Sequence, residues 1–231
     1  FNVDKCVVIH FGMNNERAEY LMEGNRLKQS DGERDLGVII SSSGKPSEQC
    51  LAAAKKANRM LGLIKRNFKS RSKDVVVRLY KTLVRPRLEY CVQSWCPYLQ
   101  KDIAVLEKVQ RRATKMILAC RTDSYEDRLK YTVLTSLECR RRRGDMIEVF
   151  KLLNGVEKID YNILIQRAEK TGRRGHSYKL VKHRARLNLR KFYFSNRVVN
   201  TWNSLPESVV VAGTVNSFKA RLDAYIRAKG S

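Results

Sequence analysis

The chain has 231 residues, with 47 Lys and Arg against 23 Asp and Glu and a formal net charge of +24. Its 43% hydrophobic and 8% aromatic content exclude a disordered polyelectrolyte and suit one large domain or two small ones. A field of that sign attracts phosphate polymers or anionic membranes, but no apolar run approaches the ~20 residues that a membrane span needs.

Residues 5–11 (KCVVIHF) are short, β-branched and aromatic, which predicts a buried strand with His10 packed in a core. Gly12, Met13, Asn14 and Asn15 break it. Residues 20–22 and 25–28 flank Glu23-Gly24 and predict a hairpin. Residues 36–40 (LGVII) predict another strand, ended by Ser41, Ser42, Ser43 and Gly44. Residues 1–45 are thus expected to form a small β-rich piece whose strands extend a sheet lying upstream. Starting at Phe1 without an initiator Met, the chain reads as cut from something longer, and its opening lacks the layout of a signal peptide.

Three amphipathic helices are expected over 46–120. Pro46 and Ser47 open the first. Ala53, Ala57, Met60, Leu61, Ile64 and Phe68 recur on one stripe, while Lys55, Arg59 and Arg66 fall opposite, flanked by Lys56 and Lys65. Ser72 and Asp74 cap the second, Pro86 should kink it and Pro97 closes it. Tyr80, Tyr90, Trp95 and Tyr98 lie beside Leu83, Val84 and Leu88 and read as core rather than as base-stacking platforms. In the third, Asp102 suits the first turn, and Ile103, Leu106, Val109, Ala113 and Ile117 form the apolar stripe. Lys101, Lys108, Arg111, Arg112 and Lys115 lie away from it.

Residues 124–129 predict a short helix, and residues 136–153 a longer one that packs through Cys139, Met146, Val149, Phe150 and Leu153 and stops at Asn154-Gly155. A basic link follows at 170–176, then two short strands within 177–194. Phe194, Val198, Trp202 and Leu205 mark a helix ended by Pro206, and Val215, Phe218 and Leu222 mark the last; Trp202 with Phe194 and Phe218 should form a second, small core. The expected fold is α+β, mainly α.

Residues 1–60 hold 9 basic against 8 acidic residues, so the excess positive charge belongs to the helical part. Acidic residues rarely share its basic faces, which favours nucleic-acid contact over a merely solvated surface. The candidate contacts are Lys55, Lys56, Arg59, Lys65, Arg66, Lys108, Arg111, Arg112, Lys115, Arg140 and Arg141. The last two belong to the densest run, Arg140 to Arg143, whose side chains point around a helix axis. Cys6, Cys50, Cys91, Cys96, Cys120 and Cys139 show neither CxxC spacing nor a following His at zinc-finger distance. They are expected to be buried, reduced thiols of an intracellular protein, nuclear or cytoplasmic.

The segment LVRPRLEYCVQSWCPYLQKDIAVLEKVQRRATKMI resembles the C-terminal part of reverse transcriptases from non-LTR retrotransposons of the jockey and chicken-repeat type. FNVDKCVVIHFG and RDLGVIIS resemble the last palm strands of that family, and AAAKKANRMLGLIKRNF the start of its thumb. SLECRRRRGDMIEVFKLLNG, RRGHSYKLVK, FSNRVVNTWNSLPESVV and VNSFKARLD resemble the segments that close its reading frame. The resemblance implies an end of palm over 1–45 with a primer-grip-like loop at Leu36, Gly37 and Val38. It implies a helical thumb over 46–120 and a basic C-terminal helical region over 121–231. It also implies a template–primer duplex of RNA and DNA as partner, held through the phosphate backbone, and upstream palm and fingers to dock on. Gly44-Lys45-Pro46 stands where relatives often have Leu-Lys-Phe, a departure at the point where the first helix leaves the sheet.

The family holds two metal ions, Mg²⁺ in the full polymerase, on Asp residues, two of them in a Phe- or Tyr-Ala-Asp-Asp turn. No Asp-Asp pair occurs in the chain, and Asp4, Asp31 and Asp35 are isolated. The chain alone is therefore expected neither to bind a cofactor nor to polymerise; Mg²⁺ belongs to the complete polymerase. Three function classes follow: a nucleic-acid-binding fragment of a polymerase, a free-standing basic helical binder derived from such an element, and a helical protein-interaction module.

Overall fold

The computed structural model describes residues 2–12, 14–120, 122–169 and 175–229. The fold is α+β and mainly α, with 56% of it helical and 8% strand. The chain divides into two compact units, Phe1–Leu137 and Glu138–Ser231. The expected segments 1–45 and 46–120 share the first unit, and the segment 121–231 contributes to both.

The first unit opens on six short strands: β1 (Val7–Val8), β2 (Leu21–Met22), β3 (Asn25–Arg26), β4 (Lys28–Gln29), β5 (Gly32–Asp35) and β6 (Val38–Ser41). They form separate pairs, β1 parallel to β4, β2 antiparallel to β3 and β5 antiparallel to β6. The hairpin at Glu23-Gly24 forms as expected. Both residues adopt positive φ, 51° and 74°, which matches a turn to the twist of its strands. The strand expected over 5–11 is reduced to Val7–Val8. Asn2 accepts from the Asp4 amide and winds Val3–Lys5 into a 3-10 turn instead. His10 is half-buried rather than deep in a core, 6.2 Å from the Tyr20 ring.

Helices follow: α1 (Ser47–Asn67), α2 (Lys73–Leu79), α3 (Arg85–Glu89), α4 (Val92–Trp95), α5 (Gln100–Thr114) and α6 (Tyr125–Thr132). A π turn, Tyr80–Val84, joins α2 to α3 just before Pro86. Proline supplies no amide to the ladder, and the wider turn absorbs the defect. Core positions there recur every four residues at Val76, Tyr80, Val84 and Leu88. This leaves Leu83 38% exposed, although its sequence neighbours suggested a packing role. Phe68 also leaves the expected stripe. It is the residue where α1 turns extended, and it is 42% exposed. Ala53, Ala57, Leu61 and Ile64 of α1 are buried against Leu106, Val109 and Ala113 of α5. Ile117 packs in a small satellite with Val76 and Cys120.

α1 and α5 run parallel. The Ser47 hydroxyl donates to Asp102 Oδ2 at 2.7 Å at their starts, and Arg112 Nη1, near the end of α5, donates to Asn58 Oδ1, in the middle of α1, at 3.1 Å. Asp102 is buried in the first turn of α5. α1 continues to Asn67 and α5 stops at Thr114, so the C-terminal end of α1 runs about 10 Å beyond that of α5. Of the cysteines, Cys50 and Cys120 are buried as expected, Cys6, Cys96 and Cys139 are partly exposed, and Cys91 is exposed. Cys91 occupies a tight break between α3 and α4 with φ 53°, which turns its side chain out.

The second unit holds most of α7 (Leu137–Leu153), then α8 (Asn188–Lys191), α9 (Phe194–Asn203), α10 (Glu207–Val210) and α11 (Val215–Lys229). Gly155 ends α7 at φ 65°, with its amide bonded to the Leu152 carbonyl and that of Val156 to the Lys151 carbonyl. This is the paired-bond stop expected of Asn-Gly. Phe150 stacks on Phe218 at 4.3 Å between ring centres, and Trp202 lies 5.9 Å from Phe218, so the second core forms where expected. The two strands expected within 177–194 do not form among the described residues. A single bridge pairs Leu180 with Arg167, and Asn188–Lys191 is helical. Most of the basic link, 170–174, lies outside the described residues.

Candidate nucleic-acid interface

The basic residues of α1 fall into three rows. Lys55, Arg59 and Arg66 are exposed on the ridge opposite the buried stripe. Lys56 faces one flank, where it lines a concavity of about 430 Å³ with Arg87, Thr82 and Tyr90. Lys65 faces the other flank, where Asn58, Arg112 and Lys115 join it around a larger concavity of about 670 Å³ between α1 and α5. Among the described residues no Asp or Glu lines either space.

Beyond α5 the surface dips again. Lys108, Arg111, Arg112 and Lys115 line a concavity of about 420 Å³ with Arg128 and Tyr125 of α6. Arg112 and Lys115 thus belong to both neighbouring spaces. Arg111 lies 4.1 Å from the centre of the Tyr125 ring, and Arg128 lies 5.6 Å from it. Arg128 is buried, and its Nε donates to Thr114 Oγ1 at 3.1 Å. Burial and the hydrogen-bonded carboxylate of Glu107 push the Tyr125 phenol well above its ordinary range, so the hydroxyl stays protonated. Tyr125 therefore anchors the cations rather than competing with them.

The C-terminal turn of α1 has its own cation. Arg71 Nη2 donates to the Lys65 carbonyl at 2.7 Å, and Nη1 to the Phe68 carbonyl, which satisfies acceptors that a helix end leaves open. Residue spacing alone did not single out Arg71, Arg128 or Arg87. Their loop and short-helix contexts carry no long period.

The run Arg140 to Arg143 departs from expectation. Arg141 is 3% exposed, and neither Nη1 nor Nη2 has a hydrogen-bond partner among the described residues. It stands four residues from buried Leu137 and from buried Asp145, on the packing side of α7, and cannot meet a phosphate. Arg140 is partly buried and has an interaction of its own. Arg142 pairs with Glu138 at 2.7 Å. Arg143 grips Asp223 with Nε at 2.5 Å and Nη2 at 2.9 Å, and these hydrogen bonds hold the Asp223 carboxyl below its usual range. Of the four sequential arginines, Arg143 ties α7 to α11, Arg142 pairs within α7 and Arg141 is buried.

Leu36 and Gly37 form the tip between β5 and β6, with φ 44° and 85°. Leu36 is 84% exposed, and its carbonyl accepts from the Tyr90 hydroxyl at 3.0 Å. Val38 instead enters the first core. The three residues expected to form a primer-grip-like loop therefore divide into an exposed tip, Leu36 and Gly37, and a buried anchor, Val38.

Compared with family models, with curated proteins and with solved structures, the chain matches none of them. Among the described residues no group of three or more His, Cys, Asp or Glu is placed to hold a metal ion. No helix among them is long and apolar enough to cross a membrane.

Proposed function

We propose that this chain is the thumb and C-terminal portion of a reverse transcriptase of the non-LTR retrotransposon type, and that it grips a template–primer duplex by its phosphates. The observation that carries the reading is the exposed ridge of α1, where Lys55, Arg59 and Arg66 stand opposite the buried stripe. Further cations, Lys65, Arg71, Arg111, Arg112 and Lys115, lie beside it, and no carboxylate pairs with any of these residues among the described residues. A surplus of like charge on a folded surface is stabilised by a polyanion.

The sequence resemblance supports the polymerase assignment, and the ridge of α1 supports the duplex. Lys55, Arg59 and Arg66 rise along it by about 6 and 10 Å, at 1.5 Å per residue, a scale suited to successive phosphates. Backbone contact carries no sequence information, as a surface that must slide along any template requires. The upstream palm and fingers would supply the Asp-borne Mg²⁺ chemistry, and the site of action would be the nucleus or cytoplasm.

Two measurements test this. Fluorescence anisotropy should show similar affinity for unrelated duplexes and a steep loss with salt. Primer extension with Mg²⁺ or Mn²⁺ should give no product from the 231-residue chain alone. Sequence-selective or salt-insensitive binding, or templated nucleotide addition, would overturn the assignment.

A further inference from the structure

We infer that the two concavities beside α5 form one path for a single nucleic-acid strand, running from the α1–α5 space across Arg112 and Lys115 to the α5–α6 space. The inference rests on the nucleic-acid reading above and adds which form of nucleic acid occupies which surface.

Continuity is the first reason. Arg112 and Lys115 line both spaces, so a chain leaving one enters the other without crossing a neutral gap. Charge is the second. Lys65 lies at one end and Lys108 and Arg111 at the other, and among the described residues Asp123 is the only acidic one that lines the path.

Shape is the third. The two spaces recede into the surface beside α5, at about 670 and 420 Å³, on the scale of a single phosphodiester chain. The convex ridge of Lys55, Arg59 and Arg66 suits a duplex in the opposite sense, since it projects rather than recedes.

Pre-organisation is the fourth. Asn58 holds Arg112 at 3.1 Å, the Tyr125 ring seats Arg111 at 4.1 Å, and Thr114 holds Arg128 at 3.1 Å. Side chains already fixed lose little entropy when a ligand arrives. The Tyr125 ring is engaged by arginines and is buried, so it offers no platform for a base. Recognition therefore rests on the backbone, and a strand of RNA or of DNA presents the same phosphates.

The test uses the full chain and fluorescently labelled RNA and DNA single strands, with a duplex of the same sequence, in anisotropy titrations across a salt series. The variant is Lys65→Gln, Arg112→Gln and Lys115→Gln together. Single-strand affinity should fall at least about tenfold near 100 mM salt, and the slope of log affinity against log salt should drop by about two, as expected for three lost contacts at ~0.7 each. Duplex affinity should change by less than about threefold. Because Arg112 also braces α1 through Asn58, a second variant, Lys65→Gln with Lys115→Gln, leaves that hydrogen bond intact and should drop the slope by about 1.4. Equal losses on single strand and duplex, or an unchanged single-strand slope in both variants, would overturn the strand path while leaving nucleic-acid binding in place. Failure of the parent chain to bind any of the probes would overturn both. Comparison of the RNA and DNA arms decides which strand the path prefers.

Discussion

The Tyr80 hydroxyl donates to Gln110 Oε1 at 2.6 Å, tying the π turn to α5 inside the first core. Gln110 Nε2 in turn donates to the Tyr125 hydroxyl at 2.9 Å and to the Thr135 carbonyl at 3.0 Å. Tyr125 donates to Glu107, which also accepts the Leu137 amide at 3.1 Å. Six residues, Tyr80, Glu107, Gln110, Tyr125, Thr135 and Leu137, thus share one buried polar network.

Tyr80→Phe removes a donor from a buried acceptor, and the expected cost is about 1–3 kcal/mol in urea unfolding. The pH dependence has a definite sign. Burial raises both phenols above their ordinary value of 10.0, so the folded state keeps protons that the unfolded chain releases. Their contribution is whole below that value and is lost as pH rises beyond it toward the folded values. Thermal scans between about pH 9 and 11 should show a steeper fall for the parent than for Tyr80→Phe. Parallel curves would contradict the burial of this hydroxyl.

Leu106 and Leu83 distinguish the two helical registers. Leu106 is fully buried and Leu83 is 38% exposed. Leu106→Ala should cost about 2–5 kcal/mol, whereas Leu83→Ala should cost about 0.5 kcal/mol or less. Comparable losses at the two sites in chemical denaturation would show that the π turn does not divide them.

The chain's basic residues should also separate by role. Arg143→Gln breaks the two-pronged grip on Asp223 and should lower stability on the order of 1 kcal/mol, given the partial exposure of both groups. The pair's contribution is present above the ordinary carboxylate value of 3.8 and is lost as pH falls through the lower folded value. Nucleic-acid affinity and its salt slope should not move. A reduced slope with unchanged stability would return the arginine run to the interface.

The long helices were legible because their periods are long. Ala53, Ala57, Leu61 and Ile64, or Leu106, Val109 and Ala113, are fixed by spacing alone, and the cations opposite them follow. Glu23-Gly24 and Asn154-Gly155 were legible for another reason, since few residues tolerate the positive φ adopted at those turns. What escaped depends on distant partners. Arg141 and Arg59 are the same residue type on amphipathic helices, and only the packing around α7 buries the first. β5 reads as polar loop because its Gly-Glu-Arg-Asp sequence is held by β6 rather than by its own propensity. The shared wall of Arg112 and Lys115 required the parallel placement of α1 and α5, two helices more than thirty residues apart in sequence, and no local pattern encodes it.

The ridge of α1 carries the central claim. Lys55→Gln, Arg59→Gln and Arg66→Gln together leave the core untouched, because all three side chains are exposed. Duplex binding followed by fluorescence anisotropy across a salt series measures how many phosphates they meet. The triple variant should bind unrelated duplexes more weakly to the same degree, and its slope of log affinity against log salt should be shallower by about two to three. An unchanged slope, or a loss confined to one duplex sequence, would contradict backbone gripping by this helix.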